Sequence, residues 1–232
     1  MKRKLLTLAV VAVAFSALVS IESAMAVQVA ATPSADDICS IVEGTVQADA
    51  GQHGAIASPS PQDHVPNMAM MGEFDLMFID MMIPHHQEAI DMARVVLERS
   101  TQEEIIRLAT DIIEAQESEI SMMTEWRETW YPGASEADPE AAISRMGGGM
   151  MQMNTGEMLS ALCSAEDVDR VFVTLMVPHH ESAIMMANAA LTQAEHPELV
   201  ELAKAIVETQ AAEIVVMEQL LSFLDGTPIA SE

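Results

Sequence analysis

Residues 78–93, Phe-Ile-Asp-Met-Met-Ile-Pro-His-His-Gln-Glu-Ala-Ile-Asp-Met-Ala, return with changes as residues 172–187, Phe-Val-Thr-Leu-Met-Val-Pro-His-His-Glu-Ser-Ala-Ile-Met-Met-Ala. The match extends outward without a gap. Between residues 75–123 and 169–217, 20 of 49 positions are identical at a constant offset of 94 residues. An ungapped match of this length indicates an internal duplication. Whatever one copy does, the other is therefore expected to do as well.

Each copy predicts two helices joined by a short polar turn, because apolar residues recur at helical spacing in both of its halves. The first helix is expected from Phe74 to Arg99 in one copy and from Asp167 to Gln193 in the other. Thr101, with Glu104 three residues later, resembles a capping box at the start of a second helix. Pro197 stands where the first residue of the other second helix is expected. The second helices should end near the glycines of Tyr131-Pro132-Gly133 and Leu224-Asp225-Gly226.

These elements predict an all-α fold. Only 3% of the residues are aromatic, and no run alternates apolar and polar residues as a half-buried strand would. Two helical hairpins with aliphatic and methionine-rich faces favour a four-helix bundle. The predicted organisation is a signal peptide at 1–26, an irregular N-terminal arm at 27–73, a first helical hairpin at 74–131, a connector containing Met and Gly at 132–166, and a second hairpin at 167–226.

The N-terminal residues resemble an export signal. Met1-Lys2-Arg3-Lys4 is basic, residues 5–18 form an apolar run that is short for a membrane span, and Ala24-Met25-Ala26 matches a cleavage site. We therefore expect a periplasmic or secreted protein, cleaved near Ala26, with no retained membrane span. In an oxidising compartment, a single disulfide between Cys39 and Cys163 is expected.

The chain is strongly acidic. It carries 36 Asp and Glu against 10 Lys and Arg, for a formal net charge of -26. Such a charge opposes binding to phosphate backbones, so nucleic acid is not an expected partner. An acidic surface attracts cations, but it is equally typical of a well-solvated exported protein.

The duplicated His-His segment places metal-binding side chains on one helix face. On a helical wheel, Met82, His85, His86 and Met92 fall on the face expected to point inward. Adjacent histidines point about 100° apart, so we do not expect both to chelate one ion as neighbours. Met82 with His86, Met82 with His85, and His85 with Met92 are the candidate groupings. Pro84 either kinks this helix or restarts it, and in both cases re-aims the imidazoles.

The donor types in these segments indicate which metal would bind. Thioether and imidazole donors without carboxylate or thiolate favour Cu(I), with Cu(II) less favoured, whereas calcium and magnesium require oxygen ligands. The alternative is a plain methionine core with hydrogen-bonded histidines. Because the histidines, the flanking methionines and a facing glutamate all occur twice, metal binding is the hypothesis that we favour.

The second helix of each copy brings polar residues onto the core-facing stripe. They are Gln116, Glu119 and Met123 in the first copy and Gln210, Glu213 and Met217 in the second. A carboxylate on a buried stripe needs a partner. A histidine of the facing helix is the obvious candidate, and Glu119 and Glu213 would then orient a metal-bound imidazole or ligate directly. Met123 and Met217 add two candidate thioether ligands.

Three functions compete for this pattern. The first is a non-enzymatic protein that buffers, transports or confers resistance to copper and exchanges it with another copper-handling protein. The second is a metal-dependent redox enzyme, although the Glu-x-x-His spacing of di-iron bundles is missing from both repeats. The third is a structural or partner-binding helical module. The first is the expectation, and no catalytic residue is assigned.

The quoted residues resemble a known family. Phe-x-x-x-Met-Ile-Pro-His-His-Gln-x-Ala-Ile-x-Met-Ala, followed by Gln-x-x-Glu-Ile-x-x-Met, is similar to the ferritin-like DUF305 family of exported proteins over about residues 74–131 and 169–224. The resemblance implies a four-helix bundle and, from its CopM-like members, periplasmic or secreted copper binding. The ligands that it implies are Met82, His85, His86, Met92, Met176, His179, His180 and Met186. Glu181-Ser182 replaces Gln87-Glu88 in the second copy, which argues against identical affinities.

Overall fold

A computed structural model of the protein describes residues 33–48, 73–136 and 155–226, and all regular structure in these ranges is helical. The helices are α1 (Ala35–Ala48), α2 (Glu73–Arg99), α3 (Glu103–Trp130), α4 (Thr155–Ser164), α5 (Val168–Gln193) and α6 (Pro197–Leu224). The prediction of an all-α fold is therefore confirmed. Within the described ranges, no helix has the length and apolar character that a membrane crossing requires. The predicted signal peptide, residues 1–26, lies outside them.

The two predicted hairpins are α2 with α3 and α5 with α6. Their ends follow local chemistry: the Asp167 carboxylate accepts the backbone N–H of Arg170, and Pro197 occupies the first turn of α6. Gly133 and Gly226 follow the second helices with φ of 76° and 68°. Other residues rarely adopt this left-handed conformation, so the two glycines allow the chain to leave each helix.

The predicted capping box at Thr101 is wrong. Helix α3 begins after Gln102, whose side chain makes no capping hydrogen bond. The Ser100 hydroxyl instead accepts the backbone N–H of Gln102 at 3.1 Å. This local turn moves the start of the helix one residue beyond Thr101.

Two helices lie in segments that were expected to be irregular, α1 in the arm and α4 in the connector. Isolated helices of 14 and 10 residues are marginal in water. Their stability comes from tertiary packing, since Ala35, Ile38 and Leu162 are buried against the bundle. The expected disulfide between Cys39 and Cys163 is present and joins the two helices. Hydrophobic periodicity within such short segments could not reveal this packing.

Helices α2 and α5 form the centre of the molecule and run antiparallel. His85 and Glu88 of α2 advance by three residues while their partners in α5, Ser182 and His179, recede by three. Each central helix also packs along its hairpin partner, whereas α3 and α6 contact each other only over a short stretch. Pro84 and Pro178 lie inside continuous helices, so neither residue restarts a helix.

The core consists of two clusters that are related by the duplication. The disulfide-side cluster contains Ala89, Met92, Ala93, Ile105, Ala109, Ile112, Phe172, Met176 and Met217, and it is covered by α1 and α4. The tryptophan-side cluster contains Phe78, Met82, Met123, Ala183, Met186, Ala187, Leu199, Ala203 and Ile206. Every member in each of these two sets has its counterpart in the other set at the offset of 94 residues. The two hairpins are therefore arranged with approximate two-fold symmetry.

The tryptophan-side end is closed by aromatic and polar contacts. The fully buried Asp75 carboxylate accepts the backbone N–H of His196 at 2.9 Å and its Nδ1–H at 2.7 Å. The Trp130 ring stacks on the His196 ring at 3.8 Å and on the Trp126 ring at 5.0 Å. These contacts attach the start of α2 to the α5–α6 turn.

Candidate metal centre

Four histidines lie at the middle of the two central helices. His86 and His180 have no exposed surface, and His85 and His179 are 9% and 5% exposed. The His85 and His179 rings come from different copies, yet their centroids are only 3.8 Å apart. Four imidazoles buried at the contact between two hairpins need an explanation in terms of their polar atoms.

The inner pair of histidines binds the glutamates of the facing helices. His86 Nε2 lies 2.6 Å from Glu119 Oε2, and His180 Nε2 lies 2.7 Å from Glu213 Oε2. A carboxylate only accepts, so Nε2–H donates in both pairs. The partner expected for each core-facing glutamate is thus a histidine of its own hairpin. An imidazole that carries a single proton, on Nε2, has its lone pair on Nδ1.

The other pair of histidines has unequal partners. Ser182 donates its hydroxyl proton to the His179 carbonyl at 2.8 Å, so its oxygen can only accept from His85 Nε2–H, at 2.6 Å. The position equivalent to Ser182 in the first copy is Glu88, and its Oε2 lies 3.5 Å from His179 Nε2. Neither contact was foreseen, although the sequence difference at these two positions is visible in the aligned copies.

The remaining polar atoms of this centre have no partner. All four Nδ1 atoms are buried without a hydrogen bond, as are His179 Nε2, both amide atoms of Gln116 and Oε1 of Gln210. Leaving a buried polar group unsatisfied costs about 1–3 kcal/mol each. The predicted outer residues Gln116 and Gln210 are thus placed in the core, but they do not bond the histidines. These unpaired polar atoms are available to bind a ligand at the centre.

The environment of His85 and His179 keeps these two imidazoles uncharged. Burial lowers the pKa of His85 well below its ordinary value of 6.5, and the neighbouring His179, His86 and His180 lower it further. Burial also lowers the pKa of His179, although the Glu88 carboxylate opposes the shift. Both rings are therefore neutral at neutral pH and keep a lone pair available for a ligand.

The six candidate methionines are completely buried and form two layers. The Met82 layer consists of Met82, Met123 and Met186 in the tryptophan-side cluster. The Met176 layer consists of Met92, Met176 and Met217 in the disulfide-side cluster. Met92 thus lies in a different core cluster from Met82. Because α2 and α5 are antiparallel, each layer takes two thioethers from one hairpin and one from the other.

The histidines separate these two layers. His86 follows Met82 by one helical turn, and His180 follows Met176 in the same way. Among the described residues, no group of three or more His, Cys, Asp and Glu side chains is disposed to hold one ion. An ion bound by these imidazoles would take its remaining ligands from the thioethers.

The chain is similar in sequence and in fold to known proteins. The family model described as domain of unknown function (DUF305) matches residues 75–221. None of the curated proteins is similar enough to count as a match. Among solved structures, CopM in the Cu(I)-bound form is 37% identical, with 65% of this chain and 96% of that chain covered and a TM-score of 0.54.

Two further structures support the same grouping. CopM in the Cu(II)-bound form is 37% identical, with 64% of this chain and 97% of that chain covered and a TM-score of 0.53. A DUF305 protein from Streptomyces coelicolor is 28% identical, with 68% of this chain and 98% of that chain covered and a TM-score of 0.60. The likeness therefore extends over nearly the whole length of each relative.

Proposed function

The chain belongs to the DUF305 family, and from that premise we propose that it is an exported copper-binding protein that holds Cu(I) for buffering, transport or resistance. One observation carries the proposal: four buried Nδ1 atoms without partners lie between two layers of three buried thioethers. Such a set of atoms is costly in an empty core and useful around a soft cation.

The donor set fits Cu(I) in its chemistry. Thioether sulfur and neutral imidazole are soft or borderline ligands, and neither adds charge to a monovalent ion. Met82, Met123 and Met186 with His86, and Met176, Met217 and Met92 with His180, would each hold an ion. His85 and His179 are available to the same two sites. Glu119 and Glu213 would fix the ring orientation through Nε2 and increase the donor strength of Nδ1.

A carrier suits these sites better than an enzyme does. All six methionines and two of the histidines have no exposed surface, so a bound ion would be shielded from oxidants and substrates. We therefore propose sequestration and transfer to a second copper-handling protein.

Export is part of the same proposal. The chain starts with a basic, apolar and small-residue pattern typical of a signal peptide. The Cys39–Cys163 disulfide suits an oxidising compartment. Two of the similar structures are of CopM with copper bound, in the Cu(I) and Cu(II) states. A periplasmic or secreted copper-binding protein accounts for these three features together.

Metal content tests the proposal directly. The protein is mixed with Cu(I) under reducing conditions that leave the disulfide intact, and separately with Cu(II), Zn(II) and Fe(II), then desalted and analysed by mass spectrometry. We expect Cu(I) to be retained most tightly and the double variant His85→Ala, His179→Ala to retain less. Equal retention of Cu(I) by parent and variant would contradict the assigned centre.

Two neighbouring methionines supply a matched control. Met123 is fully buried in the Met82 layer, whereas Met122 is 37% exposed on the same helix. Leucine conserves the side-chain volume at little cost to stability but removes the sulfur. We expect Met123→Leu to weaken Cu(I) binding about tenfold or more, on the order of one lost ligand, and Met122→Leu to leave it unchanged.

A further inference from the structure

The two halves of the histidine centre differ at one pair of equivalent positions. The inner contacts, His86 with Glu119 and His180 with Glu213, are the same in both halves. The outer contacts differ, because His85 faces a hydroxyl and His179 faces a carboxylate, at 2.6 and 3.5 Å from Nε2. A difference in the charge that contacts the histidines therefore originates at Glu88 and Ser182.

The partner of Nε2 changes the metal preference of an imidazole that binds through Nδ1. The Glu88 carboxylate lies 3.5 Å from His179 Nε2 without a hydrogen bond to it, so it acts by placing a negative charge near the ion. This charge favours the divalent over the monovalent state, because the attraction grows with the charge of the ion. The Ser182 hydroxyl is neutral, and its proton is already engaged with the His179 carbonyl. The His85 half lacks this negative charge.

Each histidine can be assigned to one methionine layer by its place on the helix. His85 follows Met82 by three residues and His179 follows Met176 by three, so each shares a helix face with the thioether of its own copy. The Ser182 contact therefore belongs to the Met82 layer. The Glu88 contact belongs to the Met176 layer.

We propose that Glu88 and Ser182 set different oxidation-state preferences in the two sites: the Met176 layer with His179 and Glu88 retains Cu(II) as well as Cu(I), and the Met82 layer with His85 and Ser182 is selective for Cu(I). This inference rests on the proposed function. Glu88 acts as a positioning residue through the His179 ring. One chain would then accept copper in either oxidation state.

The test uses the full-length mature protein with its disulfide intact. Cu(II) is titrated and followed by electron paramagnetic resonance, and Cu(I) is titrated against a chromophoric chelator. For the parent we expect one tight and one weak Cu(II) site but two Cu(I) sites of similar affinity. Glu88→Gln should weaken the tight Cu(II) site about 10- to 100-fold, the usual effect of losing an outer partner, and weaken Cu(I) binding much less, because the lost charge attracts a monovalent ion less strongly.

A gain-of-function variant and a matched control complete the test. Ser182→Glu should create a second tight Cu(II) site even if Glu88→Gln proves unstable. Glu181→Gln removes an exposed carboxylate from the adjacent position and should change neither titration. Two Cu(II) sites of equal affinity in the parent would overturn this inference but not the proposed function. An equal loss of affinity for Cu(I) and Cu(II) in Glu88→Gln would do the same. Failure of the parent to bind Cu(I) would overturn the proposed function as well.

Discussion

At the His85 ring, water is replaced by hydrocarbon and by three other imidazoles, which lower its pKa well below 6.5. Nε2–H is held by Ser182, so the ring has a defined tautomer with its lone pair on Nδ1. The same features that prepare this nitrogen for a cation prevent it from taking a proton. In the metal-free protein, burial and the other imidazoles therefore oppose protonation of this residue.

Because protonation of His85 is opposed in the folded state, we expect the unfolding free energy to decrease in acid. Unfolded His85 binds a proton below about pH 6.5, whereas folded His85 does so only at lower pH. Between these two pKa values the unfolded state holds more protons than the folded state. The contribution of His85 to the unfolding free energy is therefore fully present above about pH 6.5 and is lost as the pH decreases. Urea unfolding of the metal-free protein at pH 7.5 and 5.0 measures this loss of unfolding free energy.

The variant His85→Asn isolates this contribution. It lacks the titrating ring, so its unfolding free energy should fall less between the two pH values than that of the parent. Carboxylates that protonate in this range affect both proteins alike. Identical losses in parent and variant would mean that the folded pKa of His85 is not depressed.

The residue types of the centre were predictable, but their partners were only partly so. Duplication and helical spacing are enough to identify the histidines, the methionines and the two core-facing glutamates from the sequence. The contacts of Glu119 and Glu213 lie within a hairpin, whose short turn fixes the register. The contacts of Glu88 and Ser182 depend on how α2 is aligned with α5, which no local signal in the sequence determines.

Among the elements, α1 and α4 depend most on their surroundings. They cover only the disulfide-side cluster, where Ala35, Ile38, Met158, Leu159 and Leu162 are buried. Arg99 of α2 reinforces this cover by donating to the carbonyls of Leu162, Cys163 and Ala165. The disulfide closes a loop with a sequence separation of 124 residues.

Removal of the disulfide should loosen this cover. We expect Cys39→Ser, Cys163→Ser to lose about 2–5 kcal/mol of unfolding free energy, because the unfolded chain is no longer constrained by the long loop. Met176 and Met217 should then be oxidised faster by hydrogen peroxide, since they lie beneath α1 and α4. Urea unfolding and peptide mass spectrometry measure the two effects.

The equivalent methionines of the other layer are the internal control. Met82 and Met123 lie in the tryptophan-side cluster, which α1 and α4 do not cover. Their oxidation rates should change little in the double variant. Equal acceleration in both layers would show that the disulfide stabilises the whole bundle rather than one half of it.

The four long helices were predictable because their hydrophobic period extends over 26–28 residues and is repeated. The C-terminal ends of α3 and α6 followed from Gly133 and Gly226. The short helices were not predictable, because α4 offers only three buried apolar residues and α1 is held by contacts distant in the sequence. Tertiary packing determined the structure of these segments.

In the whole molecule, the two hairpins are coupled through the methionine layers. Each layer combines two thioethers of one hairpin with one of the other. An ion in either layer would therefore connect both hairpins. The duplication predicted two equivalent sites, one in each copy, but the antiparallel packing of α2 and α5 makes both sites composite.

Copper binding should therefore stabilise both hairpins together. With free Cu(I) at about 100 times the dissociation constant, each site adds about 2.7 kcal/mol to the unfolding free energy. Hydrogen exchange should show slower amide exchange in α3 and α6 alike, even in Met82→Leu, Met123→Leu, which retains only the Met176 layer. Slower amide exchange limited to α5 and α6 in that variant would contradict the inference that each layer contains thioethers of both hairpins.

Each methionine layer contains thioethers from both hairpins, and this arrangement has a consequence for the evolution of the chain. A single ancestral hairpin contained two of the three thioethers of a layer, so it completed a layer only by pairing with an identical copy. Fusion of two such subunits would have preserved their interface. After fusion, the two copies were free to differ, and positions 88 and 182 became glutamate and serine at what had been one position of a symmetric protein.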